Sequence, residues 1–168
     1  MSPPITLKDI IIRTELKPGD LGRVLHMHGI VYGREYGYGL RFEAYVAEGL
    51  AEFCHQYDPA TNRVWICEHD HKMIGFMVLM NRGQVAQLRY FIIEPAYRGI
   101  GLGKKLMELF MEALRDLGYK KVYLLTTEEQ HAAAALYKRL GFQLVSEKES
   151  DIFDKPLREQ RYELTITP

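Results

Sequence analysis

The chain has 168 residues, 47% of them hydrophobic and 26% charged, enough to bury a core without disulfide or metal staples. Its 22 basic and 22 acidic side chains balance, which removes any general electrostatic pull toward nucleic acid or a membrane surface. Cys54 and Cys67 offer neither a disulfide framework nor zinc spacing, no apolar run reaches bilayer length, and Met1-Ser2-Pro3-Pro4 lacks a signal peptide's apolar core. One cytoplasmic domain over residues 1–168, with reduced thiols, is the expectation.

Ile10 to Thr14, rich in β-branched residues, reads as a first strand. Pro18-Gly19-Asp20 opens a helix with Asp20 as N-cap, carried by Leu21, Val24, Leu25, Ile30 and Val31. Gly33, Gly37 and Gly39 break it into a tyrosine-rich loop, and a second helix follows from about Phe42 to Phe53. After the turn-rich Asp58 to Arg63 the pattern changes to strands. Val64 to Glu68 and Ile74 to Met80 flank a hairpin turn at His69-Asp70-His71-Lys72. Asn81-Arg82-Gly83 turns into Val85 to Ile93, which ends at Glu94-Pro95.

Next comes Arg98-Gly99-Ile100-Gly101-Leu102-Gly103, then a helix whose stripe is Leu102, Leu106, Leu109, Ala113, Leu114 and Leu117, stopped by Gly118. Val122 to Thr126 is a buried strand, Gln130 to Leu140 a helix stopped by Gly141. Phe142 to Lys148 and Arg161 to Ile166 are final strands around a polar loop at Ile152 to Pro156. The order predicts an α/β fold with a mixed sheet.

Glycines at alternate positions between a strand and a helix let backbone N–H groups approach phosphate oxygens at the positive helix end. A P-loop does not fit: Lys105 stands where Ser or Thr would hold magnesium, and Arg98 replaces the first glycine. A dinucleotide G-x-G-x-x-G does not fit either, because Lys104 or Leu106 occupies the third glycine position. What remains is Arg98-x-x-Gly101-x-Gly103, followed by Leu136-Tyr137-Lys138-Arg139-Leu140-Gly141-Phe142. This pair resembles the GNAT superfamily of acyl-CoA-dependent N-acetyltransferases, over roughly Trp65 to Phe142.

The resemblance implies a GNAT-like fold, a mixed and mostly antiparallel sheet flanked by helices. It further implies acetyl-CoA as donor co-substrate, and an amine of a small molecule or peptide as acceptor. By that likeness the amides of Arg98, Gly99, Ile100, Gly101, Leu102 and Gly103 would cradle the pyrophosphate, with charge from Arg98 and Lys104. Phe91, Ile92 and Ile93 would pair with the pantetheine arm, Gln130 standing where an asparagine is common. Tyr137 would protonate the departing thiolate, a general-acid role. Members are often dimers, so a homodimer is a further expectation, while no nucleic acid, membrane or metal partner is expected.

An alkyl ammonium with a pKa near 10.4 leaves only about one molecule in two thousand neutral at pH 7, so a proton acceptor matters. A glutamate that some members carry before the glycine loop corresponds to Gln87, which leaves Glu35, Glu128, Glu129 or a water chain. His26, His28, Tyr32, Glu35 and Tyr36 form a candidate acceptor pocket. Similar His-x-His-Gly and Arg-Glu-Tyr-Gly strings occur in the acetyltransferase half of bacterial winged-helix regulator/GNAT fusion proteins. On a helix, His26 and His28 point about 200° apart, which argues against a shared metal. A non-catalytic acyl-CoA sensor is the alternative reading. A nucleotide-binding enzyme is a third.

Overall fold

The structure is a computed structural model describing residues 1–167. In chain order its main elements are β1 (Ile11–Arg13), α1 (Asp20–Tyr36), α2 (Leu40–Gln56), β2 (Arg63–His69), β3 (Lys72–Arg82) and β4 (Val85–Ile93). Then follow α3 (Leu102–Asp116), β5 (Lys121–Thr127), α4 (His131–Arg139), β6 (Gln143–Ser150) and β7 (Leu157–Thr165). The strands form one sheet in the order β1-β2-β3-β4-β5-β7-β6. Only β4 and β5 run parallel; every other neighbouring pair is antiparallel. The expected mixed, mostly antiparallel α/β architecture is what the chain adopts.

Strand alternation splits the core between the two faces of this sheet. On one face Leu102, Leu106, Phe110 and Leu114 of α3 bury against Met77, Leu88, Val122 and Leu124. On the other, Val24 and Met27 of α1 and Phe42, Val46 and Phe53 of α2 bury against Phe76, Val78 and Ile92. No described helix is long and apolar enough to cross a membrane.

Local chemistry departs from the sequence expectation at three places. Gly19, at φ +96°, is the N-cap of α1, and Asp20 is the first helical residue. The Asp20 carboxylate instead accepts hydrogen bonds from Lys17 N (2.7 Å) and from Arg13 Nη1 and Nη2 (2.8 and 2.6 Å), joining β1 to α1. Gly33 does not break α1, which continues to Tyr36 and ends at Gly37 in the left-handed region. Its inner face keeps burying Val31, and Gly29 sits so close to α2 that a Cβ there would stand 2.1 Å from Glu43 Oε1. The last strand begins at Leu157, not Arg161. Its polar residues hide the alternation but pair across β6, as in Lys148 with Glu159.

Candidate active site

The parallel β4–β5 pair is short. It holds from Ala86–Val122 to Leu88–Leu124 and then ends, so the β5-facing edge of Arg89 to Ile93 has no strand partner. On its other edge, β4 carries a bulge: Tyr90 and Phe91 together oppose Met77, between the pairs Val78–Arg89 and Phe76–Ile92. Tyr90 takes φ +54° there. A bulge bends a strand and re-aims its side chains, here at the point where β4 leaves β5. The opening bares backbone polar groups that a folded protein otherwise pairs.

The glycine loop lies just beyond. Gly99 and Gly101 hold φ +80° and +90°, conformations that L side chains rarely adopt, and no protein atom crowds the positions where their Cβ atoms would stand. Gly101 caps α3 with no side-chain cap bond, while its carbonyl accepts Lys105 N at 3.0 Å. The amides of Leu102, Gly103 and Lys104 are therefore left for an outside acceptor, at the positive end of a 15-residue helix. Leu102 gives only its amide, for its side chain is core; Ile100 packs at the core's edge and Lys104 is exposed. Arg98 is anchored on both sides, with Nε donating to Ile93 O (3.2 Å) and Nη1 paired with Glu35 (2.7 Å).

Two cavities flank the opening. The first, on the α3–α4 face, is bounded by Phe91, Ile93, Gly103, Ala133 and Leu136, with Arg98 at its rim. A narrow cradle of this kind, walled by an unpaired strand edge, a helix N-terminus and small apolar residues, fits an extended arm ending in phosphates. The second holds about 780 Å³ of atom-free space, its open mouth included. It draws on both sheet faces, Leu124 and Thr126 from one and Arg89, Leu125 and Thr127 from the other. Only parted strands permit that. Tyr32, Phe91, Gln130 and Tyr137 line both cavities.

Tyr137 is 6% exposed, with its ring set against Phe142 and Tyr162 at 5.8 and 6.4 Å. Burial pushes its phenol well above the ordinary tyrosine range. Tyr32 is raised likewise, mainly by burial and then by the neighbouring Tyr137. Gln130 is the N-cap of α4, its Nε2 at 3.4 Å from Thr127 Oγ1, and that hydroxyl shares a 2.6 Å bond with Tyr38.

Among the candidate acceptor residues, His28 lines the second cavity, Tyr36 the first and Tyr32 both, whereas His26 is exposed on the outer side of α1. Glu35 lines neither: its carboxylate holds Arg98. His28 is fully enclosed, its Nδ1 2.8 Å from Val24 O; burial lowers its pKa to about 4. Gln87 is 2% exposed and its Oε1 accepts from Arg82 Nε (2.9 Å) and the Tyr123 hydroxyl (3.1 Å). Glu128 accepts from Arg158 N and Glu129 pairs with Lys155, both outside the two cavities.

Sequence reasoning passed over Arg89, Phe153 and Glu159, all of which line the second cavity. Phe153 sits in the stretch read as a polar loop, yet it packs on Phe42 (4.9 Å) and Tyr38 (5.2 Å) and closes the wall. Its only signal was the apolar pair Ile152-Phe153 among polar neighbours. Among the described residues, no group of three or more His, Cys, Asp or Glu is placed to hold a metal ion.

The profile of the Acetyltransferase (GNAT) family matches residues 21–142. An uncharacterized N-acetyltransferase of Escherichia coli, YjgM, is 33% identical over 98 residues, which is 56% of this chain and 59% of that protein. The match thus spans about three fifths of that relative's length. An acetyltransferase from Streptococcus agalactiae has the same fold, with TM-score 0.76 and 21% identity over 95% of this chain and all of that one. So does YncA from Salmonella typhimurium, a structure holding acetyl-CoA, with TM-score 0.70 and 14% identity over 95% of each chain.

Proposed function

The chain belongs to the GNAT acetyltransferase family, and from that premise we propose that it moves an acetyl group from acetyl-CoA to a primary amine by direct attack, with both ligands bound at once. The observation that carries this reading is the pair of cavities meeting at Tyr137, Tyr32, Phe91 and Gln130 where β4 and β5 part. One cavity ends in the unpaired amides of α3 and suits a phosphorylated arm. The other is aromatic and suits a small amine. The acetyl-CoA-bound Salmonella structure supports the donor. The acceptor class, a small molecule or a peptide, and a cytoplasmic setting rest on the cavity's size and the expected reduced thiols. The His26-x-His28 and Arg34-Glu35-Tyr36-Gly37 strings, with their likeness to winged-helix fusion proteins, support α1 as the acceptor-side wall.

In this reading the amides of Leu102, Gly103 and Lys104 receive the pyrophosphate oxygens, with Arg98 alongside and Glu35 steadying its guanidinium. The open edge of Phe91 to Ile93 aligns the pantetheine arm, and a backbone N–H there faces the acyl oxygen as negative charge grows on it. Acetyl-CoA supplies an activated thioester. Tyr137, which stays protonated at neutral pH, gives its proton to the sulfur, and its ring keeps bulk water from the opening. The amine's proton leaves toward Glu159, the carboxylate that lines the acceptor cavity among the described residues.

Release of free thiol from acetyl-CoA across a panel of amines, polyamines and peptides tests the proposal. Amine-dependent release is expected. Tight acetyl-CoA binding with no amine-dependent release from any acceptor would favour the sensor reading.

A further inference from the structure

The acceptor cavity has a charge pattern that the transfer reaction alone does not require. Arg89 enters it from β4, half-buried, with its guanidinium over the rings of Tyr90 (4.7 Å) and Tyr45 (5.5 Å). It makes no hydrogen bond or ion pair among the described residues, although Arg82 beside it is bound to Glu52 at 2.8 Å. A guanidinium partly withdrawn from water and without an anion is an incomplete interaction. The buried hydroxyls of Tyr90 and Thr126, two further residues lining this cavity, also lack partners.

α2 is shaped to this group. A Cβ on Gly49 would stand 2.0 Å from the Tyr90 hydroxyl and 2.7 Å from Arg89 Nη2, so a helical glycine gives both donors their place. The other charge on the cavity wall is Glu159, whose carboxylate lies 3.6 Å from Lys148 Nζ. The same cavity is walled by the mutually packed rings of Phe42, Tyr45 and Phe153, and Tyr45 and Leu125 are exposed. His28 adds no charge there at neutral pH, being buried and hydrogen-bonded to Val24 O.

One cation without an anion, an aromatic wall and an opening toward the donor define a ligand with three parts. We propose that the acceptor is an amino acid with an aromatic or branched apolar side chain, its carboxylate clamped by Arg89 and its amino group turned toward Tyr137. This rests on the acetyl-transfer reading above. The amino nitrogen bonds the acetyl carbon as the carbon–sulfur bond breaks. The ammonium first gives one proton to solvent; on attack the nitrogen loses a second toward Glu159 and thence solvent, the sulfur gains one from Tyr137, and solvent returns a proton to Tyr137, so N-acetylamino acid, CoA and one net proton result. An Arg guanidinium suits a carboxylate through two parallel N–H···O bonds, which a lysine does not reproduce.

The experiment compares phenylalanine, phenylalaninamide and phenethylamine as acceptors for the wild-type protein and for Arg89→Gln and Arg89→Lys. Wild type is expected to favour phenylalanine by roughly tenfold or more in kcat/KM, through KM. Arg89→Gln should erase that preference by raising KM for phenylalanine roughly tenfold or more relative to that for phenethylamine, and Arg89→Lys should restore part of it. Equal use of the three acceptors by the wild type, which needs no variant, overturns the inference and leaves acetyl transfer standing. Calorimetric titration with phenylalanine reads the clamp without turnover. Phenylalanine bound through Arg89 by a protein that acetylates no amine would sink acetyl transfer but keep the carboxylate clamp, whereas no phenylalanine binding removes the clamp.

Discussion

Tyr137 sits where the two cavities join, and its burial fixes what it can do. Raised by desolvation, its phenol stays protonated through the neutral range, so it can give a proton but not take one first. A phenol made a weaker acid by burial contributes toward the lower end of general-acid catalysis. Tyr137→Phe is expected to lower kcat by roughly two orders of magnitude, with acetyl-CoA affinity by calorimetry changed little. Unchanged turnover would remove the hydroxyl from the mechanism. His28 carries a stability signature instead. Its pKa, ordinarily near 6.5, falls to about 4 because burial disfavours the cation. The unfolded chain therefore binds the proton first, and the stabilisation present above about pH 6.5 is lost as pH falls toward 4. Denaturant unfolding at pH 7 and pH 4.5 should show wild type losing about 2 kcal/mol more than His28→Phe. Equal losses would mean that the imidazole is protonated as readily inside as outside.

At the scale of elements, the helical glycines of α1 and α2 fill different needs. The Cβ of an alanine at Gly29 would meet only the carboxylate end of Glu43, a flexible group that can swing away. Gly29→Ala is expected to be neutral or to stabilise by up to about 1 kcal/mol, as helix interiors favour alanine. At Gly49 the Cβ would strike the Tyr90 hydroxyl at the end of a rigid ring held by the β4 bulge. Gly49→Ala should destabilise by about 1–3 kcal/mol in denaturant unfolding, and it should alter acceptor use more than acetyl-CoA binding. The reverse ranking would contradict the close approach of α2 to β4. These contacts also explain what could be read in advance. The β2–β4 meander, the α3 stripe and the glycine loop stand out because their periods and turns are local. The run of α1 past Gly33 did not stand out, since Gly33 is helical and it is Gly37, in the left-handed region, that ends the helix. Nor did the parting of β4 from β5 or the Tyr90 bulge, which arise from pairing between strands far apart in sequence. Arg89 reads as an ordinary surface arginine until Tyr45 and Tyr90 are brought beneath it.

For the whole molecule, the proposed reading makes the sheet a wall between donor and acceptor. α3 and α4 cover one face, the side proposed for the phosphates; α1, α2 and the β6–β7 loop cover the other, the side proposed for the acceptor. Among the described residues, the sheet opens where the β4–β5 pairing stops. On that proposal an amine reaches the acyl group directly, each ligand entering from its own side, without parking the acyl group on the protein. Cys67 does not offer a covalent alternative, because it is fully buried in the core and burial raises its thiol to about 12. The measurement that bears most directly on this account is the initial velocity of thiol release with acetyl-CoA and an accepted amine both varied. Double-reciprocal lines that intersect are expected, since both ligands must occupy the pierced sheet together. Parallel lines, the mark of an acyl-enzyme formed before the amine binds, would contradict it.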